Sequence, residues 1–552
     1  MPTGMRFARR PRPARSRTPP RTSVAHIKPL ECRALRGRGG HWGAAAALAV
    51  ATLIVACGGG GAGLASLAPP DTPLYAEFAL QPDEDDAESI AALGERLAGI
   101  PDLGGLVVER LDAALAEIPL QLSFAADVEP WLGDRGSLFV RSYEPTGVAD
   151  GIPEFAVALE LDDAEAARAL LERIAATDAA AEDPRSYGDY EYFVSGAPDG
   201  IVAGIVEEVL IIGTEASFQV AVDAGDGGSL AESAEYTERI DALPDDPLAA
   251  VYLEPAAAIE AAIAAGDVDR QQARMLGPLL AGPLSSPAVL ALTATAQTAS
   301  LDLATAMSSS DDPPTESPLL AGLPADAWLA VAAPDLGEAI VRTLDQIENS
   351  GVPGDGSIEQ SIRAQTGLDP RSDVLGWLGD AAAFVRGTAS SDVVAGVVAE
   401  TDDPVGPRKL LNTAGRLAER ASGTRSKGPP EGADYGFSLG RDALGDGPEV
   451  GVFDYRVVAV SGGSAAAVLD PRAALGDAAA YQNAVEALGD DLVPGLFVDL
   501  PSLLTAAEQG AVAEDPGVGR LAPYLARLDS LVAGATVEDG LELSRITLTL
   551  AD

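Results

Sequence analysis

The feature that most constrains this chain is that it repeats itself at a spacing of about 245 residues. Asp127 to Arg141 reads DVEPWLGDRGSLFVR and Asp373 to Arg386 reads DVLGWLGDAAAFVR, so Trp131-Leu132-Gly133-Asp134 returns as Trp377-Leu378-Gly379-Asp380. Further matches keep the same order. Asp162-Asp163 and Leu170-Leu171 answer to Asp402-Asp403 and Leu410-Leu411; Asp189-Tyr190 to Asp434-Tyr435; Tyr236 to Tyr481; Asp245-Asp246 to Asp490-Asp491; Tyr252 to Phe497; and Glu254 to Asp499. A chain built this way needs a fold for half its length, used twice.

Between the two copies lies Ser308 to Pro318 (SSSDDPPTESP), too polar and Pro-rich to bury apolar surface and therefore a linker. The sequence thus divides into a signal segment at 1–56, a Gly-rich tether at 57–69, a first repeat at 70–307, the linker at 308–318 and a second repeat at 319–552. Each repeat opens on a Pro-containing turn and an apolar strand, Leu74 to Leu80 and Trp328 to Ala333. Glu88 to Leu97, Val107 to Ile118 and Ala164 to Ala176 carry apolar residues at helical spacing, whereas Ser137 to Arg141, Phe155 to Glu160, Ile201 to Gly213 and Val450 to Ser461 read as strands. Short strands are expected at Ala249 to Leu253 and Gly495 to Val498, and a hairpin at Leu531 to Leu550 turns at Glu538-Asp539-Gly540. The elements mix without regular βαβ alternation. The expected fold class is α+β: two tandem domains, each a largely antiparallel sheet with helices covering one face.

The first 38 residues hold eleven basic side chains and one acid, Glu31. An uncharged run, Gly43 to Ala56, follows and then Cys57, which is the order of a secretory signal with a short apolar region. Ile54-Val55-Ala56-Cys57 resembles the lipobox of bacterial lipoproteins, in which the cysteine thiol is acylated and becomes the new N-terminus. The alternative is a single-pass anchor at 43–62, which requires a helix to run through glycines. The expected location is the outer face of the cytoplasmic membrane, with Cys57 as the lipidation site. Cleavage there removes eleven bases and one acid and moves the net charge from −47 to −57. A body so acidic is repelled by nucleic acid and by anionic headgroups, so no nucleic-acid partner is expected and the membrane is held by acyl chains.

Composition excludes several chemistries. Both histidines, His26 and His41, and the second cysteine, Cys32, lie in the segment to be removed. Ser-His-Asp and Cys-His nucleophiles, His/Cys zinc sites and disulfides are therefore not available to the mature chain. No Walker loop or helix-opening GxGxxG is present, and only Lys409 and Lys427 remain as lysines, both expected on solvated surface. No cofactor is expected. Carboxylate chemistry stays open because 84 acids always offer pairs.

For the repeated WLGD segment, Trp131 and Trp377 read as core anchors, Gly133 and Gly379 as turn glycines at positive φ, and Asp134 and Asp380 as caps of a turn or strand end. Asp162-Asp163 and Asp402-Asp403 read as helix N-caps. Asp245, Asp246, Glu254, Asp490, Asp491 and Asp499 are candidate oxygen ligands for a divalent cation, should they converge.

With the signal, the lipobox-like cysteine, the opening PPDTPLYAEF and the EPWLGDR segment in view, the chain resembles an actinobacterial lipoprotein family catalogued as domain of unknown function 3352. That resemblance implies an extracytoplasmic location and supplies no catalytic residues. The expected function is a non-enzymatic, lipid-anchored binding or scaffolding protein, its partner an envelope protein or a polysaccharide. The alternatives are a carboxylate-dependent hydrolase of the cell envelope and a calcium-stabilised adhesion or spacer module.

Overall fold

The computed structural model describes residues 63–551, apart from 101–102, 117–119, 121, 143–152, 178–181, 197–199, 266–285, 308–314, 350–354, 390–391, 424, 441–446 and 510–525. The signal segment, Cys57, the alternative span at 43–62 and most of the linker lie outside the described residues. Among the described residues no helix is long and apolar enough to cross a membrane.

Among the described residues, to which the strand counts here apply, the first half supplies ten strands: β1 (Leu74–Ala79), β2 (Leu132–Ser142), β3 (Glu154–Leu161), β4 (Arg185–Tyr187), β5 (Tyr190–Val194), β6 (Ile201–Val206), β7 (Val209–Thr214), β8 (Ala249–Leu253), β9 (Ala288–Ala294) and β10 (Thr298–Ala306). The second half supplies nine: β11 (Ala327–Ala333), β12 (Ala381–Arg386), β13 (Val394–Glu400), β14 (Tyr435–Ser438), β15 (Glu449–Phe453), β16 (Arg456–Ser461), β17 (Val493–Asp499), β18 (Leu528–Glu538) and β19 (Leu541–Leu550).

All nineteen strands form one sheet, and every pairing in it is antiparallel. The first half runs β4-β5-β6-β7-β3-β2-β1-β8-β9-β10 across the sheet. The second continues β19-β18-β17-β11-β12-β13-β16-β15-β14. The fold is thus α+β, as the mixed periodicities require. The seam is β10 against β19, in register from Thr298↔Thr549 to Ala306↔Leu541, with Asp302 opposite Arg545 at its midpoint. Both outer strands are short, β4 with three residues and β14 with four, which leaves little free edge to template pairing with another chain.

Helices pack on both faces, which corrects the expectation that only one is covered. The reason is visible in β6, whose six residues IVAGIV are all buried, as a strand must be when neither face meets water. On one face Tyr75, Phe139, Val202 and Ile211 pack with Phe218, Ala221 and Val222 of the helix Glu215–Gly225. On the other, Ile201, Ala203 and Ile205 meet Leu170, Leu171 and Ile174 of the helix Ala164–Thr177. The second half does the same with Phe384, Val458 and Phe497 under the helix Ala479–Leu488, and with Ala381, Ala399 and Val457 under Leu411 of the helix Pro407–Ser422.

The tether expected over 57–69 is corrected over its described part. Leu64–Leu67 is a 3-10 turn whose Leu64, Ala65 and Leu67 are buried with Tyr75 and Phe218, because the apolar LASLA stretch has core surface to cover. Likewise the last linker residue, Pro318, opens the helix Pro318–Gly322, whose Leu319 and Leu320 belong to the second core. The helix expected at Glu88 starts at Glu84, since Asp83 accepts a hydrogen bond from the Asp86 N–H and caps it. The terminal hairpin turns at Asp539 (φ 49°) and Gly540 (φ 83°), the paired positive φ of a type I′ turn.

Candidate functional site

Each WLGD segment is the exit of a compact turn. In the first half a π-type turn, Phe124–Val128, runs into the 3-10 turn Glu129–Trp131; in the second, Pro370–Val374 runs into Leu375–Trp377. Trp131 donates its indole N–H to the Asp127 carbonyl at 2.6 Å, and Trp377 to the Asp373 carbonyl at 2.9 Å. The same two aspartates close the turn with their side chains. Asp127 accepts from the Ser123 N–H at 3.0 Å and pairs with Arg173 at 2.8 Å; Asp373 accepts from the Asp369 N–H at 2.7 Å and pairs with Lys409. Asp127 is held below the usual carboxylate range chiefly by that backbone N–H, with Arg173 adding to it. For Asp373 the Lys409 ammonium is the larger cause, followed by the Asp369 N–H.

The sequence reading passed over Asp127 and Asp373, although their recurrence four residues before each tryptophan was the available signal. Lys409 lies on the surface, as expected, 57% exposed, and from there it pairs with Asp373.

The tryptophans are buried, 6% and 8% exposed. Gly133 and Gly379 are not at positive φ, which corrects the turn-glycine reading. They are small because the next strand passes close: a Cβ on Gly133 would sit 2.9 Å from the Glu160 Cβ, and one on Gly379 would sit 3.3 Å from the Glu400 carbonyl. Asp134 uses its carbonyl, which accepts from the Leu80 N–H at 2.6 Å; Asp380 uses both its carbonyl, which accepts from the Glu400 N–H at 2.7 Å, and its carboxylate, which accepts from the Asp335 N–H at 3.1 Å. Asp163 caps the helix Ala164–Thr177 by accepting from the Ala166 N–H at 2.9 Å. Asp403 does not cap a helix. It accepts from the Val405 N–H at 3.0 Å inside a turn, and Pro404 and Pro407 delay the helix to Pro407–Ser422.

Beside Trp377 these elements leave a cleft of about 780 Å³. Its floor is Trp377, Leu378 and Val341, and its walls carry Asp335, Glu338, Asp380, Glu400, Asp402 and Asp403 with one cation, Arg342. None of these six carboxylates is buried. The N-terminus of the helix Leu336–Asn349 is pressed against the WLGD turn: the Leu336 N–H donates to the Gly379 carbonyl at 3.1 Å, and a Cβ on Gly337 would lie 2.2 Å from the Leu378 carbonyl. In the first half the turn has a different neighbour, Gln81, whose side chain donates to the Leu132 carbonyl at 2.7 Å. There Glu160 is raised above the usual range, first by burial and then by the charges of Asp134 and Asp162, against the pull of Arg135.

The six candidate cation ligands do not converge. Asp245 and Asp246 precede β8 and Glu254 follows it, so they lie at opposite ends of a five-residue strand about 16 Å long at ~3.3 Å per residue. Asp246 (φ 46°) pairs with Arg135 at 3.4 Å. Glu254, raised by burial and by the charges of Glu235 and Asp71, sits at the start of the helix Pro255–Ala265. Asp499 accepts from the Ser502 N–H at 2.8 Å, a cap for the helix Leu500–Gln509. Asp490 and Asp491 are exposed on the turn before β17, where Asp491 borders a second cavity at the seam between the halves. Among the described residues no group of three or more His, Cys, Asp or Glu side chains is placed to hold a metal ion.

A family model described as a protein of unknown function, DUF3352, matches residues 110–421, from the helix Leu103–Leu115 of the first half to the helix Pro407–Ser422 of the second. No curated protein matches the chain, and no solved structure does.

Proposed function

For a chain that belongs to the family of proteins of unknown function DUF3352, we propose a non-enzymatic role: a lipid-anchored extracytoplasmic protein that binds or scaffolds an envelope partner, protein or polysaccharide. The observation that carries the reading is the cleft at Trp377, a recess of about 780 Å³ with an aromatic and aliphatic floor and an acidic rim. That combination suits a partner segment with apolar and cationic groups. The carboxylates of its walls already work as turn and pairing groups: Asp380 holds the Asp335 N–H, Asp403 the Val405 N–H, and Glu400 pairs with Arg456 at 3.3 Å. General-acid catalysis needs a carboxylate withdrawn from water, and none of the six is.

We further read the two halves as tandem copies of one α+β unit. Support comes from the matched turns at Trp131 and Trp377 and from the equal rank of β1, β2, β3, β8 and β11, β12, β13, β17 in strand order. The anchor is assigned to Cys57, in an envelope of actinobacterial type, on the sequence alone.

Crosslinking the native protein in intact cells, followed by mass spectrometry, tests the reading. Reproducible capture of one envelope component, lost on changing Glu338 and Asp402 to the amides, is the expected result; capture unaffected by those changes would remove the cleft from the proposal. Labelling with radioactive palmitate tests the anchor, which Cys57→Ser should abolish. A carboxylate-dependent hydrolase is the second reading, favoured by the number of acids around the cleft. Turnover of envelope glycans by the purified protein, abolished in the same amide variants, would install it instead.

A further inference from the structure

Three neighbouring strands of the second half, β11 (AWLAVAA), β12 (AAAFVR) and β13 (VAGVVAE), are apolar but for two terminal charges, the pattern of strands covered on both faces. One face meets that expectation, with Phe384, Val398 and Phe497 buried in the second core. The other does not. Of the nine large apolar side chains that stand exposed among the described residues, four lie on it: Leu301, Val331, Val397 and Ile546, each between 40% and 45% exposed.

The strand register puts these four in one line. Leu301 stands opposite Ile546, Ile546 opposite Ala533, Ala533 opposite Leu496, Leu496 opposite Val331, Val331 opposite Ala383, and Ala383 opposite Val397. Directly paired residues share a face, so this is one apolar row across seven strands, about 29 Å long at ~4.8 Å per strand. No charged or hydrogen-bonding side chain interrupts it, and each strand beneath it is paired on both sides, which occupies the backbone polar groups. Two residues along the strands the face is covered in each direction. Leu531, Leu548 and Val498 pack with Leu500 and Leu503 of the helix Leu500–Gln509, and Ala381 and Ala399 belong to the cluster around Trp377 and Leu411. The row is the floor of a trough.

An extended peptide or a sugar laid there would give up hydrogen bonds to water and find none in return. A second copy of the sheet meets a different obstacle: neighbouring strands rotate by roughly 20–25°, so the row turns through about 120–150° along its length and a rigid face touches only part of it. A hydrocarbon chain asks for no polar partner and bends to follow the twist. The ~30 Å hydrocarbon core of a bilayer is two acyl chains deep, so the row has about twice the length of one chain. Charge selects the head group, because a body with a net charge of −47 repels an anionic head and not an uncharged one.

We propose that this row binds the acyl chain of an uncharged, acylglycerol-type lipid, whose methylenes lie along Leu301, Ile546, Val331 and Val397 while the head stays in water. None of these residues lines the cleft at Trp377, so the two sites stand or fall separately.

Monoacylglycerols of 10, 12 and 14 carbons, kept below their micellar concentrations, are the probes. They displace Nile red, a neutral dye that brightens in apolar surroundings, from the full chain made as Cys57→Ser so that no acyl chain of its own competes. Affinity is expected to rise at least twofold per methylene, about fourfold being the value for complete withdrawal from water. It should exceed at least fivefold that of the fatty acid of equal length, whose carboxylate the acidic body repels. Leu301→Gln with Ile546→Gln is expected to weaken the 14-carbon probe at least tenfold. Val331→Thr with Val397→Thr keeps the side-chain shapes, reads the same row should the first pair not fold, and is expected to weaken binding at least threefold. Leu417→Gln, also at an exposed position but on the helix Pro407–Ser422 outside the row, should leave binding unchanged. Displacement that never saturates overturns the proposal, as do equal affinities along the series, binding that survives both pairs, or an equal loss in Leu417→Gln. Equal affinity for the fatty acid overturns the uncharged head. A dimer in sedimentation velocity that the same pairs dissociate would give the row to a second copy and overturn the proposal as well.

Discussion

Replacing Trp131 and Trp377 by phenylalanine, singly and together, tests the claim that the two WLGD turns do the same mechanical work. Each indole is more than nine-tenths buried and each donates to the carbonyl four residues earlier. Phenylalanine keeps a ring in the site but gives up that hydrogen bond, a loss of about 1 kcal/mol. It also leaves about 40 Å³ unfilled, which at ~24 cal/mol per Å³ is about 1 kcal/mol more. Each variant should therefore lose about 2 kcal/mol, read as a shift of the urea midpoint at constant slope when far-UV dichroism follows unfolding. The two sites sit in separate cores, so the double variant should lose about 4 kcal/mol. A loss under about 0.5 kcal/mol at one site with 2 or more at the other would refute the equivalence of the turns. A double variant well short of the sum would show that the cores share an element the geometry keeps apart.

Three further outcomes are expected. Asp127 and Asp373 have pKa values lowered by folding, so the unfolded chain binds more protons and stability rises with pH; their contribution, full above the ordinary carboxylate pKa, should fade as pH drops through it, and the Asp127→Asn, Asp373→Asn pair should flatten the acid limb of a melting-temperature profile measured from about pH 6 to 3. Gly337→Ala drives a Cβ against the Leu378 and Leu375 carbonyls and should cost about 2–3 kcal/mol, while Gly322→Ala, with nothing within 4 Å, should stay within ~0.5 kcal/mol; chemical denaturation of both gives the comparison. Gly540→Ala forces an alanine to φ 83° in the terminal turn and should cost about 1 kcal/mol, again by denaturation midpoint, with no change at the cleft.

The strands were readable because burial writes itself into alternation. β18 buries Leu528, Ser530, Val532 and Gly534 and leaves the residues between them half-exposed, a period of two in burial even though Leu531 and Ala533 fall on the half-exposed side. The fully apolar IVAGIV of β6 was equally clear as a strand, but a continuous run also says that both faces are covered, and that part of its message went unused. The glycines of WLGD were misread for a similar reason. Positive φ and close approach both select glycine, and only the position of the neighbouring strand tells them apart. Asp127 and Asp373 escaped notice because an aspartate in a chain with 84 acids carries little information until its partners are seen. The cleft could not be found from sequence, since Asp335, Asp380 and Asp403 come from three strand ends that only β11-β12-β13 pairing brings together.

The placement of β19 has a consequence for the order in which the chain folds. β19 is the inner neighbour of β10, so the edge of the first half stays open until the second half has folded against it. During that interval a nine-residue strand with unpaired N–H and C=O groups is exposed to other chains. Asp302, at the midpoint of the strand and turned toward the core side, is poorly suited to a foreign β-partner, which would have to bury its charge without a cation. Arg545 supplies that cation from the correct strand alone, so the ion pair at the seam acts as a password that the first half withholds until its own second half arrives.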